Sequence, residues 1–248
     1  MKIIRTLFCL IIVITGNLAF ADPADDIKAP GGLGNKGYVW NTMTRERADI
    51  LRLTGDFARG KVAFSGCRGC HRADGAGRPD GTYPRLTGQH ASVIIKQVTD
   101  TREGLRVNPK MLPFAAQHAV SLQEIADIAD YLSKVQTLSE NGKGPGTKLE
   151  RGKQVYESNR CQRCHGLAGE GDPGRVYPVL AAQHYAYTLL EMQHVKDGSR
   201  SNGHPDMSKL LKLISREDME AIADYLSRMP DYRSADTNPS SAASSPTK

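Results

Sequence analysis

Apolar residues fall at helical spacing in two stretches that lie 94 positions apart. Ile125, Ile128, Ala129 and Leu132 make one stripe, and Met219, Ile222, Ala223 and Leu226 the other. Each stripe follows a helix-start signal, Ser121 with Glu124 and Ser215 with Asp218, in which the hydroxyl takes a free backbone N–H and the acid reaches back. Longer helices are predicted from about His90 to Asp100 and from about His184 to Lys196. A shorter helix is predicted before residue 67 and another before residue 161. Gly60 and Gly152 in these would let a second helix pack closely, with Tyr131 and Tyr225 as partners. No strand-like alternation of useful length occurs, so the expected fold is all-α.

The whole middle of the chain repeats. Tyr83-Pro84-Arg85-Leu86 with Gln89-His90 matches Tyr177-Pro178-Val179-Leu180 with Gln183-His184. Ile128-Ala129-Asp130-Tyr131-Leu132-Ser133 matches Ile222-Ala223-Asp224-Tyr225-Leu226-Ser227. Two covalent units of one design follow each other. They are placed at 56–135 and 149–233, joined by a linker at 136–148 that carries a Gly144-Pro145-Gly146 break. A unit of this size is small for a self-sufficient core.

The ends read differently. Lys2 and Arg5, the apolar run Leu7 to Thr15 and Ala19-Phe20-Ala21 are the parts of a secretory signal peptide, residues 1–21, cut after Ala21. An uncleaved anchor is the second reading; the run is short for a membrane span. Residues 22–55 form an N-terminal extension holding the single tryptophan, Trp40, and a short helix around Arg45 to Leu53. The tail 234–248 is rich in Ser, Ala and Pro and is expected to be disordered. The full chain carries a net charge of +6, and loss of Lys2 and Arg5 leaves +4. With 6% aromatic residues and no basic-aromatic interleaving, nothing points to a nucleic-acid partner. No P-loop, G-x-G-x-x-G or H-E-x-x-H string is present.

Of five cysteines, Cys9 leaves with the signal, and the other four stand in Cys67-Arg68-Gly69-Cys70-His71 and Cys161-Gln162-Arg163-Cys164-His165. C-x-x-C-H is the attachment signature of a c-type haem: Cys67, Cys70, Cys161 and Cys164 would form the thioether bonds, and His71 and His165 would bind iron. A redox disulfide or a zinc half-site does not call for a histidine directly after the second cysteine, twice. A covalent haem would also supply each small unit with its missing apolar centre. For the second iron ligand the candidates are Met111 and Met207, both placed in loops before the last helix of their unit. Thioether sulfur favours ferrous iron. His204 is the rival of Met207. Met192 and Met219 fall at helical positions and read as core. Pro84 and Pro178 each stand thirteen residues after the proximal histidine, where a carbonyl could accept the bond from its other ring nitrogen. His90 and His184 read as helix starts, and Arg85 could face a propionate.

These residues resemble the diheme cytochromes c of the cytochrome c4 family, exported bacterial electron carriers, over about Phe57 to Met229. The resemblance rests on the paired C-x-x-C-H strings, the Y-P-x-L-x-x-Q-H segments, a loop Met and the I-A-D-Y-L helices. It implies two tandem class I cytochrome c domains related by a pseudo-two-fold axis, with two covalent haem c groups near each other. It implies a periplasmic carrier, monomeric or in transient complexes, between a quinol-oxidising complex or dehydrogenase and a terminal oxidase, with peripheral membrane association allowed. Partners would dock at exposed haem edges, near Arg68 and Arg72 in the first unit and Arg163 in the second. The alternatives are a diheme subunit of a larger dehydrogenase, such as a flavin-containing sulfide dehydrogenase, and a diheme peroxidase, which needs an open iron position.

Overall fold

A computed structural model describes residues 40–136 and 139–231. The signal peptide 1–21, most of the extension and the tail 234–248 lie outside the described residues. The helices run in the order α1 (Arg45–Arg52), α2 (Phe57–Ala63), α3 (Arg68–His71), α4 (Ala91–Arg102), α5 (Leu112–Ala115) and α6 (Leu122–Lys134) in the first unit. The second holds α7 (Leu149–Ser158), α8 (Gln162–His165), α9 (Tyr185–Asp197), α10 (Pro205–Leu213) and α11 (Arg216–Ser227). Among the described residues there is no strand, only an isolated bridge between Asp172 and Tyr177. No described helix is long and apolar enough to cross a membrane.

The final helix of each unit forms where its stripe and cap require. The Ser121 hydroxyl accepts from Glu124 N, and the Glu124 carboxylate accepts in return from Ser121 N at 2.8 Å, a complete capping box. Ser215 caps α11 by accepting from Asp218 N at 3.0 Å. The stripes then turn inward: Ile125, Ala129 and Leu132 are buried with Phe64 in one core, and Met219, Ile222 and Leu226 with Val155 in the other. Met192 is buried in that second core too.

The helix before each haem string crosses this final helix at very close range. A Cβ added to Gly60 would stand 2.0 Å from Asp127 O and 2.7 Å from Tyr131 Cβ; at Gly152 it would stand 2.1 Å from Ala221 O and 2.7 Å from Tyr225 Cβ. Only a residue without a side chain permits such a crossing. Phe57 and Phe64 then pack on the Tyr131 ring, and Tyr156 on that of Tyr225. Arg59 closes the first crossing with two 2.8 Å bonds to Asp127, and Arg151 the second with a 2.7 Å bond to Asp218.

Two segments that read as appendages are structural. Helix α1, capped by Thr44, packs on α4 and α6 and buries Ile50 in the first core, while its Glu46 pairs with Arg102. The linker is fastened to the second unit. Asn141 Nδ2 donates to Gln183 O and Ser227 O at 3.2 and 2.7 Å, and Gly146 N donates to the Asp224 carboxylate at 2.8 Å.

Candidate haem sites

Each C-x-x-C-H string enters a single helical turn, α3 or α8, directly after the close helix crossing, and the turn carries the histidine inward. His71 is buried and His165 half-buried. The His71 Nδ1 lies 3.3 Å from Pro84 O, and His165 Nδ1 lies 3.3 Å from Pro178 O. A carbonyl can only accept, so Nδ1 carries the proton in both rings and Nε2 keeps its lone pair. Burial pulls both imidazoles below the usual histidine pKa, with the proline carbonyl opposing, so each ring is held neutral. A neutral, oriented imidazole is what iron ligation requires. Tyr83 stands beside His71 with ring centroids 5.9 Å apart, and Tyr177 beside His165 at 6.2 Å.

Cys67 and Cys161 pack against the cores of their own units. Burial pushes each of these two thiols up to about 11, with a backbone hydrogen bond opposing it at Cys161. An apolar wall of this kind disfavours a thiolate, the form that binds zinc. A thioether carries no charge and suits it. The donor set therefore fits two covalent haems.

The structure separates the two methionines. Met111 is the cap residue before α5, half-buried, with its N–H held by Asn108 O at 3.0 Å, as expected of a loop residue. Met207 does not sit in a loop: it lies in the first turn of α10, because His204 and Pro205 begin a helix there. Pro205 has the fixed φ of a helix N-terminus, and His204 Nδ1 accepts from Asp206 N at 3.1 Å. Half-buried Met207 packs against the same core as Cys161. The His204 ring lies between Trp40, tilted at 5.2 Å between centroids, and Tyr177, edge-on at 6.1 Å. The buried Arg85 guanidinium pairs with Asp231.

The Gln-His of each repeated segment had no role beyond starting a helix in the sequence reading; it joins the units. Gln89 Nε2 donates to Val179 O at 3.1 Å, and Val179 N donates back to Gln89 Oε1 at 2.9 Å. Gln183 does the same with Arg85 O and Arg85 N, both at 2.9 Å. His90 Nε2 reaches Glu170 O and His184 Nε2 reaches Ala76 O, each at 2.8 Å. Each of these contacts has its counterpart 94 positions away, which is the signature of a two-fold interface. Beside it Arg106 bonds Gln97 at 2.9 Å and Glu191 at 3.2 Å, while Arg200 also pairs with Glu191. Burial alone would raise the Glu191 pKa; Arg200, His194 and Arg106 outweigh it and keep the carboxylate ionised. The only signal for this interface in the sequence was the repetition of Gln-His itself.

Two helical units, each with a histidine tied to a proline carbonyl directly after a pair of cysteines, define a tandem c-type cytochrome. The Cytochrome c family model matches the chain twice, at residues 57–136 and 149–230. Cytochrome c4 of Pseudomonas aeruginosa is 39% identical over 199 residues, covering 77% of this chain and 98% of that one. A thiosulfate dehydrogenase electron acceptor from Stutzerimonas stutzeri is 33% identical over 197 residues, covering 76% and 89%. The crystal structure of reduced cytochrome c4 from Pseudomonas stutzeri superposes with a TM-score of 0.64 at 26% identity, over 71% of this chain and all of that one. The chain belongs to the cytochrome c4 family of diheme c-type cytochromes. It carries two covalently bound haem c groups and works as an electron carrier, not an enzyme.

Proposed function

We propose that this protein is a periplasmic shuttle that takes electrons from a quinol-oxidising complex or a dehydrogenase and delivers them towards a terminal oxidase. In this reading Cys67 and Cys70 hold one haem, with His71 and Met111 as its iron ligands. Cys161 and Cys164 hold the other, with His165 and Met207. The haem irons supply the reversible one-electron chemistry. Pro84 and Pro178 fix the imidazoles, and the sulfur of each methionine, a soft neutral donor, raises the potential. His204 is the weaker candidate in the second unit because its Nδ1 already serves the α10 cap and its ring is held between Trp40 and Tyr177.

The observation that carries the proposal is the reciprocal clasp of Gln89 and Gln183, which locks two equivalent sites in one body. Such a body accepts an electron at one site and releases it at the other without rearranging. The test is reduction of the purified protein by a membrane fraction supplied with quinol, followed by oxidation by a terminal oxidase. Rapid reduction and reoxidation of both haems supports the reading, and failure of either half-reaction contradicts it.

A second reading is favoured by the resemblance to the thiosulfate dehydrogenase electron acceptor: the donor is a soluble dehydrogenase with which this chain associates. Co-purification with such an enzyme, and reduction by it in the absence of membranes, would distinguish this donor from a quinol-oxidising complex.

A further inference from the structure

Two pairs of counterpart residues meet where the units face each other, and the repeat is broken in one of them. Arg106 and Arg200 stand 94 positions apart, and so do Gln97 and Glu191. Each arginine reaches both members of the other pair. Arg106 Nη1 donates to Gln97 Oε1 at 2.9 Å and its Nη2 to Glu191 Oε2 at 3.2 Å. Arg200 Nη1 donates to the same Glu191 oxygen, and its Nη2 to Gln97 Oε1 at 3.4 Å. An amide orients a guanidinium without neutralising it. Among the described residues, Glu191 is the one carboxylate that both arginines bond. The Arg106 side chain is only 13% exposed and that of Glu191 14%, so dissolved salt screens this pair far less than a surface one.

The place of Arg106 gives this charge its importance. Two residues further on, Asn108 holds the Met111 N–H through its side-chain oxygen at 3.2 Å and its carbonyl at 3.0 Å. On the other side the guanidinium acts on the first proximal histidine: after burial, its positive charge is the second influence that lowers the His71 pKa. Among the described residues no charged group acts on His165 in this way; burial and the Pro178 carbonyl account for its shift. Arg200 turns instead to Glu191 and, at 3.3 Å, to Asn202 of its own unit. The cation beside the first site is therefore balanced by an acid that the second unit supplies. A positive charge near a haem favours the reduced state, and a carboxylate bonded to that charge offsets it.

We propose that Glu191 of the second unit is a positioning residue that sets the reduction potential of the haem in the first unit, by holding Arg106 and partly neutralising it. The first unit then has its working potential only when joined to the second. This rests on the electron-carrier reading above.

The test is an NMR-monitored redox titration of the holoprotein, which follows each haem separately. The His71 ring is recognised by its contact with Tyr83, and that of His165 by its contact with Tyr177. Glu191→Gln keeps the shape and removes the charge, so the first midpoint should rise, and further than the second. Gln97→Glu gives Arg106 a second carboxylate and should lower the first midpoint. Both changes together leave Arg106 with one carboxylate, now from its own unit, and should bring the midpoint back towards wild type. Raised salt should leave these shifts in place. Loss of a packing contact alone would lower the melting temperature without producing opposite shifts that cancel. A first midpoint that is unchanged in Glu191→Gln, or moves no further than the second, overturns the proposal. So does a rise in Gln97→Glu. If the wild-type protein does not give two reversible one-electron steps, the electron-carrier reading itself fails; two such steps that the variants leave in place remove only the role of Glu191.

Discussion

Gln89 and Gln183 are one residue used twice: each presents its amide to the backbone of the opposite unit, Gln89 to Val179 and Gln183 to Arg85, through a donor and an acceptor bond of 2.9 to 3.1 Å. Both side chains are buried. A primary amide is the one side chain that mimics a peptide unit, so it pairs with a stretch of chain as a strand would. This fixes the relation of two domains that share a polypeptide but separate cores.

Replacing either glutamine with alanine leaves a buried N–H and a buried carbonyl without partners, at about 1–3 kcal/mol for each such group. Gln183→Ala should therefore lower the melting temperature, and Gln89→Ala with Gln183→Ala should split unfolding into two transitions. The haem count per chain should not change. Calorimetry of the holoprotein checks this. A single unshifted transition in the double variant would show that the clasp does not couple the units.

His184 gives the interface a pH dependence. Its Nδ1 accepts from Gly142 N at 2.9 Å while its Nε2 donates to Ala76 O, so only the neutral ring satisfies both. Burial lowers its pKa, with the Ala76 carbonyl opposing. The unfolded chain thus binds a proton more readily than the folded one. The stabilisation is complete above the unfolded value of about 6.5 and is lost as pH falls below it through the folded pKa. Thermal melts from pH 8 to pH 5 should show this loss, and His184→Gln should flatten it.

Trp40 ties the N-terminal extension to both units. Lys96 Nζ of the first unit lies over its ring, 4.6 Å from the centroid, and the ring packs at a tilt against His204 of the second, at the start of the helix that carries Met207. Lys96 in turn pairs with Asp100, which accepts from Asn202 Nδ2 at 2.7 Å. Trp40→Ala should cost about 1–2 kcal/mol from the lost stacking and cation–π contacts. It should also perturb the spectrum of the second haem while leaving the first unchanged. Visible and near-infrared spectra of the variant against wild type decide this.

The elements were legible wherever one short-range rule acted alone. Ser121 with Glu124 and the stripe Ile125 to Leu132 marked α6, and Gly60 with Tyr131 foretold a helix crossing that only contact at Cβ range explains. The proline carbonyls were legible because the spacing to the histidine repeats. Met207 was misplaced because a helix of only nine residues begins at Pro205, where a proline reads equally as a loop residue or a helix start. The interface was missed for a deeper reason. Gln89 and Gln183 show their function only against partners 90 and 98 positions away, and no local pattern announces a long-range hydrogen bond.

The ligand assignment has its own variants. Met111→Ala or Met207→Ala should each remove one sulfur-to-iron charge-transfer band and lower one midpoint by part of the roughly 0.8 V range that axial ligands control. His204→Gln should retain both bands, with at most a shift in that of the second haem, because it alters the cap of the Met207 helix and not an iron ligand.

The central claim is that two equivalent sites, each ligated by histidine and methionine, carry electrons with no iron position left open. Near-infrared magnetic circular dichroism of the ferric holoprotein, scaled to its haem content, counts methionine-ligated haems directly. Two per chain is the predicted result. One or none, with the remainder high-spin or bis-histidine, would contradict the account.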